Sequence, residues 1–530
     1  MNSEPLRNVT RASVRGSTRQ IELARYRARA RHRSIASGIQ AAVTTAVVTA
    51  CTGAPAETAA PADVEWEYYG GDAGGTKYSN LAQINRVKVG RLKVAWMVRG
   101  ADFSPSVFDP MGHRAGTRRE NGAPVTARNG AACGYCHSTT TRFEATPLMR
   151  DGVLYVSTPR NRVLALDGET GVVRWAFDPE IPTDKRYAED FTSRGVSLWT
   201  DDRIQGGRCA RRIFLATVDA RLYALDAASG LPCENFGTRG FVRLDVDVGL
   251  NSRHVEPSQY TITSPPAVAG DVVVVGSAVA KNLRRDVPSG LVRAYDARTG
   301  ALRWSFDPIP RTERHHARDF WTSDAARRTG GANVWSVITV DPERDLVFLP
   351  TGSAAPDSYG GERPGRNDFA NSVVALRAST GDFKWSFQLV HHDLWDYDVA
   401  AQPVLITLRR PGQETPAVIA AAKTGMIFVL HRESGLPLLR VEERAVPMSD
   451  VTGEQAWPTQ PFPVQTPLLH GTLLTPDSAF GITDVDRTFC RELIRSLRND
   501  GVFTPPSLKG TLVWPGYWGG DQLGWDSLGS

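Results

Sequence analysis

The octapeptide His391-His392-Asp393-Leu394-Trp395-Asp396-Tyr397-Asp398 gathers groups that can move a proton. An ionised Asp396 can take the hydroxyl proton of an alcohol, provided that it lies within hydrogen-bond reach. Trp395 and Tyr397 flank it and predict an aromatic wall beside the carboxylate. About one structural repeat later comes Ala422-Lys423-Thr424-Gly425, closing an apolar run over 419–422. A lysine at such a strand edge is placed to hold an anionic or carbonyl-rich cofactor; the bland alternative is a solvated side chain. A second constellation, Cys133-Gly-Tyr-Cys136-His137, fits C-x-x-C-H. In that pattern two thioethers hold a c-type haem and the histidine is its first axial ligand. Met111 and His113, both upstream, are the candidates for the second. The insert over 101–141 is short for a free-standing cytochrome, and a Cys133–Cys136 disulfide is the competing reading.

These groups must be carried by a degenerate internal repeat. Its copies are Val163-Leu-Ala-Leu-Asp-Gly-Glu-Thr-Gly171, Leu222-Tyr-Ala-Leu-Asp-Ala-Ala-Ser-Gly230 and Val292-Arg-Ala-Tyr-Asp-Ala-Arg-Thr-Gly300. Val373-Val-Ala-Leu-Arg-Ala-Ser-Thr-Gly381 and Ile427-Phe-Val-Leu-His-Arg-Glu-Ser-Gly435 complete the series. Each reads as an apolar strand, a polar turn closed by glycine, and a second strand. The glycine supplies the positive φ of a tight turn. Trp175, Trp304 and Trp385 follow three of these turns at a fixed offset, and each is predicted to dock its hairpin on a neighbour. Further apolar strands lie upstream, at 153–155, 213–216, 272–275 and 346–349. The pattern predicts an all-β fold, a β-propeller of four-stranded blades with ligands bound on loops at one end of the axis. Residues 487–499 are the exception and predict a short helix.

The octapeptide, written HHDLWDYD, together with AKTG resembles the signature of the pyrroloquinoline-quinone (PQQ) dehydrogenases. The nearest branch is the membrane-associated glucose/quinate/polyol type, and the resemblance spans residues 66–518. It implies a PQQ-type, eight-bladed propeller over 65–530. Asp396 then matches the general base. Lys423 matches the residue that contacts the quinone oxygens, and Arg194 an arginine that pairs with PQQ carboxylates through its two-pronged fork. Glu144 and Thr263 match other cofactor contacts, and Trp335 the indole that stacks under the quinone. The family carries an acid before the asparagine that helps to hold Ca²⁺ beside PQQ. Here Lys281 stands at that place, with Asn282 retained and Ser353 a weak substitute ligand. Calcium needs hard oxygen donors, so Lys281 puts the ion in doubt. Either Lys281 points away while a metal binds weakly through Asn282, or its ammonium replaces the ion, or the site is dead. The expectation is weakened or absent metal dependence. The family's chain continues well past the stretch matching 501–516, whereas this one stops at Ser530, so the ring is expected to lack its closing blades.

With 41% hydrophobic and 22% charged residues, the composition is that of a globular chain. The formal net charge of +5 comes largely from an arginine-rich segment over 7–33. Without it the body is near neutral, which argues against nucleic acid as a partner. Basic residues, then the weakly apolar run 34–50, then Val48-Thr49-Ala50-Cys51 resemble a lipoprotein export signal. Cleavage before Cys51 and its lipidation would leave residues 51–64 as a tether to a membrane. The alternatives are an ordinary cleaved signal and an uncleaved membrane helix. In an oxidising periplasm Cys209 and Cys233 can pair, leaving Cys490 over.

The leading expectation is a periplasmic, membrane-anchored quinoprotein dehydrogenase. It would oxidise a sugar, polyol or cyclic alcohol and pass electrons to a membrane quinone or cytochrome c. The rivals are a non-catalytic lipid-anchored propeller scaffold and an inactive, shortened quinoprotein. The set Glu144, Arg194, Trp335, Asp396 and Lys423 favours the enzyme, because a scaffold needs no acid–base–aromatic cluster. Loops over 311–328 and 358–366 are expected to carry substrate specificity.

Overall fold

The computed structural model describes residues 64–99, 141–249, 255–281, 284–469 and 473–517. All of these residues belong to one compact unit. Cys51, Cys133, Cys136, His137, Met111, His113 and Asn282 lie outside the described residues.

Four antiparallel four-stranded sheets follow one another along the chain, each strand pairing with the next in sequence. The first runs Leu148–Arg150, Val153–Ser157, Val163–Asp167, Val173–Phe177. The second runs Ser197–Thr200, Arg211–Ala216, Arg221–Asp226, Phe241–Arg243. The third comprises Ala267–Ala269, Val272–Val275, Val292–Asp296 and Leu302–Phe306. The fourth comprises Thr339–Asp341, Leu346–Pro350, Ser372–Arg377 and Phe383–Gln388. A fifth blade has three strands, Val404–Arg410, Gln413–Ala421 and Ile427–His431, and a two-stranded ladder pairs Val441–Ala445 with Thr459–Pro463. The predicted β-propeller is therefore present, as five blades and a ladder among the described residues. Middle strands such as Val292–Asp296 and Leu346–Pro350 are buried at every position, because a neighbouring blade covers each face. Fourth strands such as Leu302–Phe306 alternate, with one face in solvent.

The tryptophans dock blade on blade, as their offset predicts. Trp175 Nε1 donates to the Ala227 carbonyl of the next blade (3.0 Å), Trp304 to Ala378 (2.9 Å) and Trp385 to Arg432 (3.0 Å). Each ring covers the glycine of the next turn so closely that a Cβ on Gly230 or Gly435 would meet ring carbons at 2.5 Å. The second repeat has no such tryptophan. There Cys209 and Cys233 form the expected disulfide, and Trp199 donates instead to the Gly270 carbonyl (3.0 Å) beneath Arg298. The turns close on an acid: Asp167 Oδ1 accepts from the N–H and hydroxyl of Thr170 (2.9 and 2.8 Å). Where the fourth repeat has Arg377 in that place, Asp345 of the adjacent turn takes over and accepts from Ser379.

The predicted helix forms at Asp484–Ser496, three residues earlier than expected at both ends. Thr483 and Asp486 make a reciprocal capping box that fixes its start, and Leu497 turns extended so that Arg498 can bridge to Thr511. Among the described residues no helix is long and apolar enough to cross a membrane.

In an antiparallel four-stranded meander, the connection into the first strand and the loop between the second and third strands emerge at the same end. The connections into the first strands are stitched in series around the axis. Thr146 N–H donates to the Arg194 carbonyl (3.2 Å), Arg194 N–H to Thr263 (2.9 Å), Ser264 Oγ to Trp335, and Ser336 Oγ to Ala400 (2.5 Å). Residues 66–77 bridge the ring: Trp66 pairs with Met149 of the first blade, while Gly74 accepts from Leu405 of the fifth (2.8 Å). Every predicted cofactor contact and the predicted base come from this one end of the blades.

Candidate functional site: a cavity on the propeller axis

A cavity of about 490 Å³ opens at that end, within the ordinary range for small-molecule sites. The connections entering the first four blades supply Glu144, Arg194, Thr263 and Trp335, and the connection into the fifth supplies Asp396 and Asp398. Loops between second and third strands supply Lys281 from the third blade, Asp357 from the fourth and Lys423 from the fifth. All six predicted site residues with described positions line this one cavity.

Two carboxylates and two ammonium groups form its centre. Lys281 Nζ donates to Asp396 Oδ1 (2.6 Å) and Asp398 Oδ1 (3.1 Å), and lies 3.9 Å from Asp357 Oδ2. Lys423 Nζ donates to Asp396 Oδ2 (2.8 Å) and Asp398 Oδ2 (3.1 Å). Asp398 also accepts from the Ser353 N–H (2.6 Å) and Trp335 Nε1 (3.1 Å). Burial pushes the Asp396 carboxyl up and the Asp398 charge adds to this, against Lys281 and Lys423; the balance stands at about 6. Burial would also raise Asp398, but Lys281, Lys423 and the Ser353 N–H override it and hold that carboxyl below the usual range. Burial opposes the charge on Lys281 and Lys423 too, yet the facing carboxylates win and raise both ammonium groups. The centre thus pairs an acid that its cations hold ionised with a carboxyl that burial pushes up.

Local folding aims these side chains. Over 395–398 they point in turn to the core and to the cavity. Asp396 and Asp398 face the cavity, while Trp395 and Tyr397 face the core. The predicted aromatic wall is therefore misplaced: Trp395 Nε1 donates to the Thr504 carbonyl (2.7 Å), the Tyr397 hydroxyl to Pro515 (2.7 Å), and both rings pack on Phe503. The aromatic residues at the cavity are Trp335 and Tyr517. Buried Asp393 fastens the run by accepting from the N–H groups of Trp395 (3.0 Å) and Tyr397 (2.8 Å) and from Asn371 (2.9 Å). Asp396 itself has φ +58°, a left-handed conformation that aspartate tolerates better than most residues. Ser353 Oγ donates to Asp393, so it serves this network and is not the substitute metal ligand expected.

Arg194 is buried at the rim. Its Nη1 donates to Thr263 Oγ1, and its Nε lies 3.0 Å from Glu144 Oε2, an ion pair whose N–H is not aimed at the oxygen. The guanidinium carbon sits 5.2 Å from the Trp335 ring centre and Lys423 Nζ 5.8 Å from it, so two cations border this indole. Sequence reasoning missed Asp398, Asp357, Asn333, Glu189 and Arg142, all of which line the cavity. The signal for Asp398 was its place two residues after Asp396 in the octapeptide. No residue of the expected specificity loops over 311–328 and 358–366 lines the cavity. Arg363 of the latter is buried, tied to the Pro356 and Asp393 carbonyls and to Asn367.

A flat, tri-anionic ortho-quinone such as PQQ fits this donor set. Trp335 offers a ring face, while Arg194 and Arg142 offer guanidinium groups to carboxylates. The buried Asn333 Oδ1 has no hydrogen-bond partner, although its amide nitrogen is bound to the Ser277 carbonyl (2.7 Å). A divalent cation does not fit. Lys281 points into the cavity rather than away, and its Nζ fills the place where Asp357, Asp396 and Asp398 converge. Among the described residues no group of three or more His, Cys, Asp or Glu side chains is arranged to hold an ion.

Comparison with known proteins bears on the same residues. The quinate/shikimate dehydrogenase (quinone) of Acinetobacter baylyi is 34% identical over 483 residues, covering 88% of this chain and 54% of that protein. The quinoprotein glucose dehydrogenase of Escherichia coli is 35% identical over 478 residues, covering 88% and 55%. The chain thus spans about half the length of these relatives. Among solved structures, a quinohemoprotein alcohol dehydrogenase from Comamonas testosteroni superposes with a TM-score of 0.54 at 26% identity, covering 76% of this chain and 52% of that one. Residues 66–528 match the PQQ family described as glucose/ethanol/alcohol dehydrogenase, beta-propeller domain. On that match, which takes in the whole cavity, the chain belongs to the β-propeller family of the PQQ-dependent quinoprotein dehydrogenases.

Proposed function

We propose that this chain is a quinoprotein dehydrogenase that oxidises the CH–OH group of a sugar, polyol or cyclic alcohol. The observation that carries the reading is Asp396, a cavity carboxylate held by two ammonium groups beside Trp335. Bound PQQ supplies the two-electron acceptor. Trp335 gives the cofactor a ring face, and Arg194 with Arg142 holds anionic groups at the rim. Asp396 accepts one hydrogen bond on each oxygen from the lysines, which leaves a lone pair on each for a substrate hydroxyl. Burial pushes its carboxyl up from the ordinary aspartate value, which suits a general base. The relatives' names, glucose in one and quinate or shikimate in the other, share a polyhydroxylated ring.

The same reading takes a membrane quinone or cytochrome c as electron acceptor, with a c-type haem at Cys133, Cys136 and His137 as an intermediate carrier. It assigns the chain to the periplasm, anchored by lipid on Cys51. The Cys209–Cys233 disulfide supports an oxidising compartment. The test is dye-linked oxidation of glucose, quinate and glycerol by the purified chain supplied with PQQ. Asp396→Asn is expected to lower kcat by about 10²–10⁴ while PQQ still quenches tryptophan fluorescence. Equal rates in the two proteins would refute the role of Asp396, and no oxidation of any alcohol would refute the function.

A further inference from the structure

We propose that the Lys281 ammonium holds the cation position of the cofactor cavity, so that this chain takes up no calcium there and binds its quinone without it. The inference rests on the PQQ reading above for the identity of the ligand, but its geometric argument does not.

Three acids from two different connections converge on one nitrogen, at 2.6, 3.1 and 3.9 Å. That nitrogen is buried, with Lys281 only 6% exposed. An ion bound there would first have to displace the ammonium from the carboxylates that it already neutralises. One of the three acceptors is also full. A carboxylate offers about four lone-pair sites, and Asp398 already accepts four hydrogen bonds, from Lys281, Lys423, the Ser353 N–H and Trp335 Nε1. Calcium requires six or more oxygen ligands at short range, and this carboxylate has no lone pair to give it. Lys281, by contrast, retains a donor. Two of its three N–H bonds serve Asp396 and Asp398, and 3.9 Å to Asp357 is beyond hydrogen-bond range. The third is left for an acceptor in the cavity that Lys281 lines. A quinone oxygen accepting it would gain a fixed positive charge that needs no reorganisation as negative charge develops.

The experiment uses the purified full chain, stripped with chelator. Calcium is titrated calorimetrically into it, before and after addition of PQQ, and PQQ binding is followed by tryptophan quenching. For the wild type no calcium heat is expected into the millimolar range, and the PQQ Kd should change less than about threefold between chelator and calcium. Lys281→Asp returns an oxygen ligand to the same place. It is expected to bind calcium and to lose at least about tenfold in PQQ affinity in chelator, recovered on adding the ion. Stoichiometric calcium uptake by the wild type, or PQQ binding that requires calcium, overturns the proposal. The wild-type titration needs no variant, so it decides even if Lys281→Asp fails to fold. Absence of PQQ binding in both conditions instead overturns the cofactor reading, while the calcium titration without quinone still judges Lys281.

Discussion

Replacing Lys281 by methionine should move the pH at which the proposed oxidation switches on. Lys281 is one of two charges that pull the Asp396 carboxyl down from the height that burial and Asp398 would give it. Removing that charge therefore raises the Asp396 pKa from its value of about 6. For charge centres ~3.5 Å apart at an effective dielectric of ~20, the lost attraction is about 5 kcal/mol. At ~1.4 kcal/mol per pKa unit this is about three units. Water in the cavity screens the pair and Lys423 remains, so about two units is the working figure. With the pKa at ~8, the ionised fraction at pH 6.5 falls from about three-quarters to about 3%, roughly a twenty-five-fold loss; at pH 9 it is nearly restored. The assay is kcat/KM against pH, which reports the free enzyme's ionisations. Loss of cofactor affinity would lower the whole profile without tilting it. The reasoning fails if the variant-to-wild-type ratio is flat between pH 6 and 9, or if the acid limb moves down.

Three further outcomes follow from the packing. Gly230→Ala sets a Cβ 2.5 Å from the Trp175 ring at φ +73° and should cost about 2–4 kcal/mol through overpacking and left-handed strain, read as a lower urea midpoint; an unchanged midpoint would mean that the docking contact is dispensable. The Cys209→Ser/Cys233→Ser pair opens a crosslink across a sequence separation of 24 residues and should lose about 3 kcal/mol, a loss that reductant reproduces in the wild type but not in the variant. His392 is held neutral, down to about 3, by burial first and then by Arg363. Its folded pKa lies below the unfolded one, so the unfolded chain binds the extra proton between about 6.5 and 3. Stability is then lost as pH falls through that window. His392→Gln should remove about 3 kcal/mol of this acid sensitivity between pH 7 and pH 4, checked by denaturation at both; equal losses in the two proteins would refute it.

The blades were legible because their signal is local. An apolar strand, an acid-to-glycine turn and a tryptophan at fixed offset lie within one hairpin, and the docking contact needs nothing more distant than the next copy. The cavity was half legible for the opposite reason. Asp396, Lys423, Arg194 and Trp335 were found through the octapeptide and a resemblance, whereas Asn333 and Asp357 come from loops whose meeting place depends on the blade arrangement. The pairing of Asp398 with Asp396, and the turn of Trp395 and Tyr397 into the core, depend on the left-handed Asp396 and on the hydrogen bonds of Asp393, which no strand periodicity announces. Lys281 was visible as a misfit, but its aim was not, since Asp357 and Asp396 lie 76 and 115 positions away in sequence.

The dispersal of this cluster makes its electrostatics a property of blade packing. Lys281 belongs to the third blade, Lys423 to the fifth, and the two acids to the connection between fourth and fifth. Their separations are set by how the third blade docks on the fourth through Trp304, and the fourth on the fifth through Trp385. A carboxylate that titrates near 6 between two ammonium groups is sensitive to tenths of an ångström in those separations, because Coulomb energies vary as the inverse of distance. Asp396 is in addition held at φ +58° by the hydrogen bonds that Asp393 collects on either side of it, a left-handed position that persists only where its surroundings over-determine it. The rigid stacking of flat sheets and the fastening of one loop therefore serve the same end. They hold a reactive acid in contact with two cations that would otherwise be free to drift into solvent.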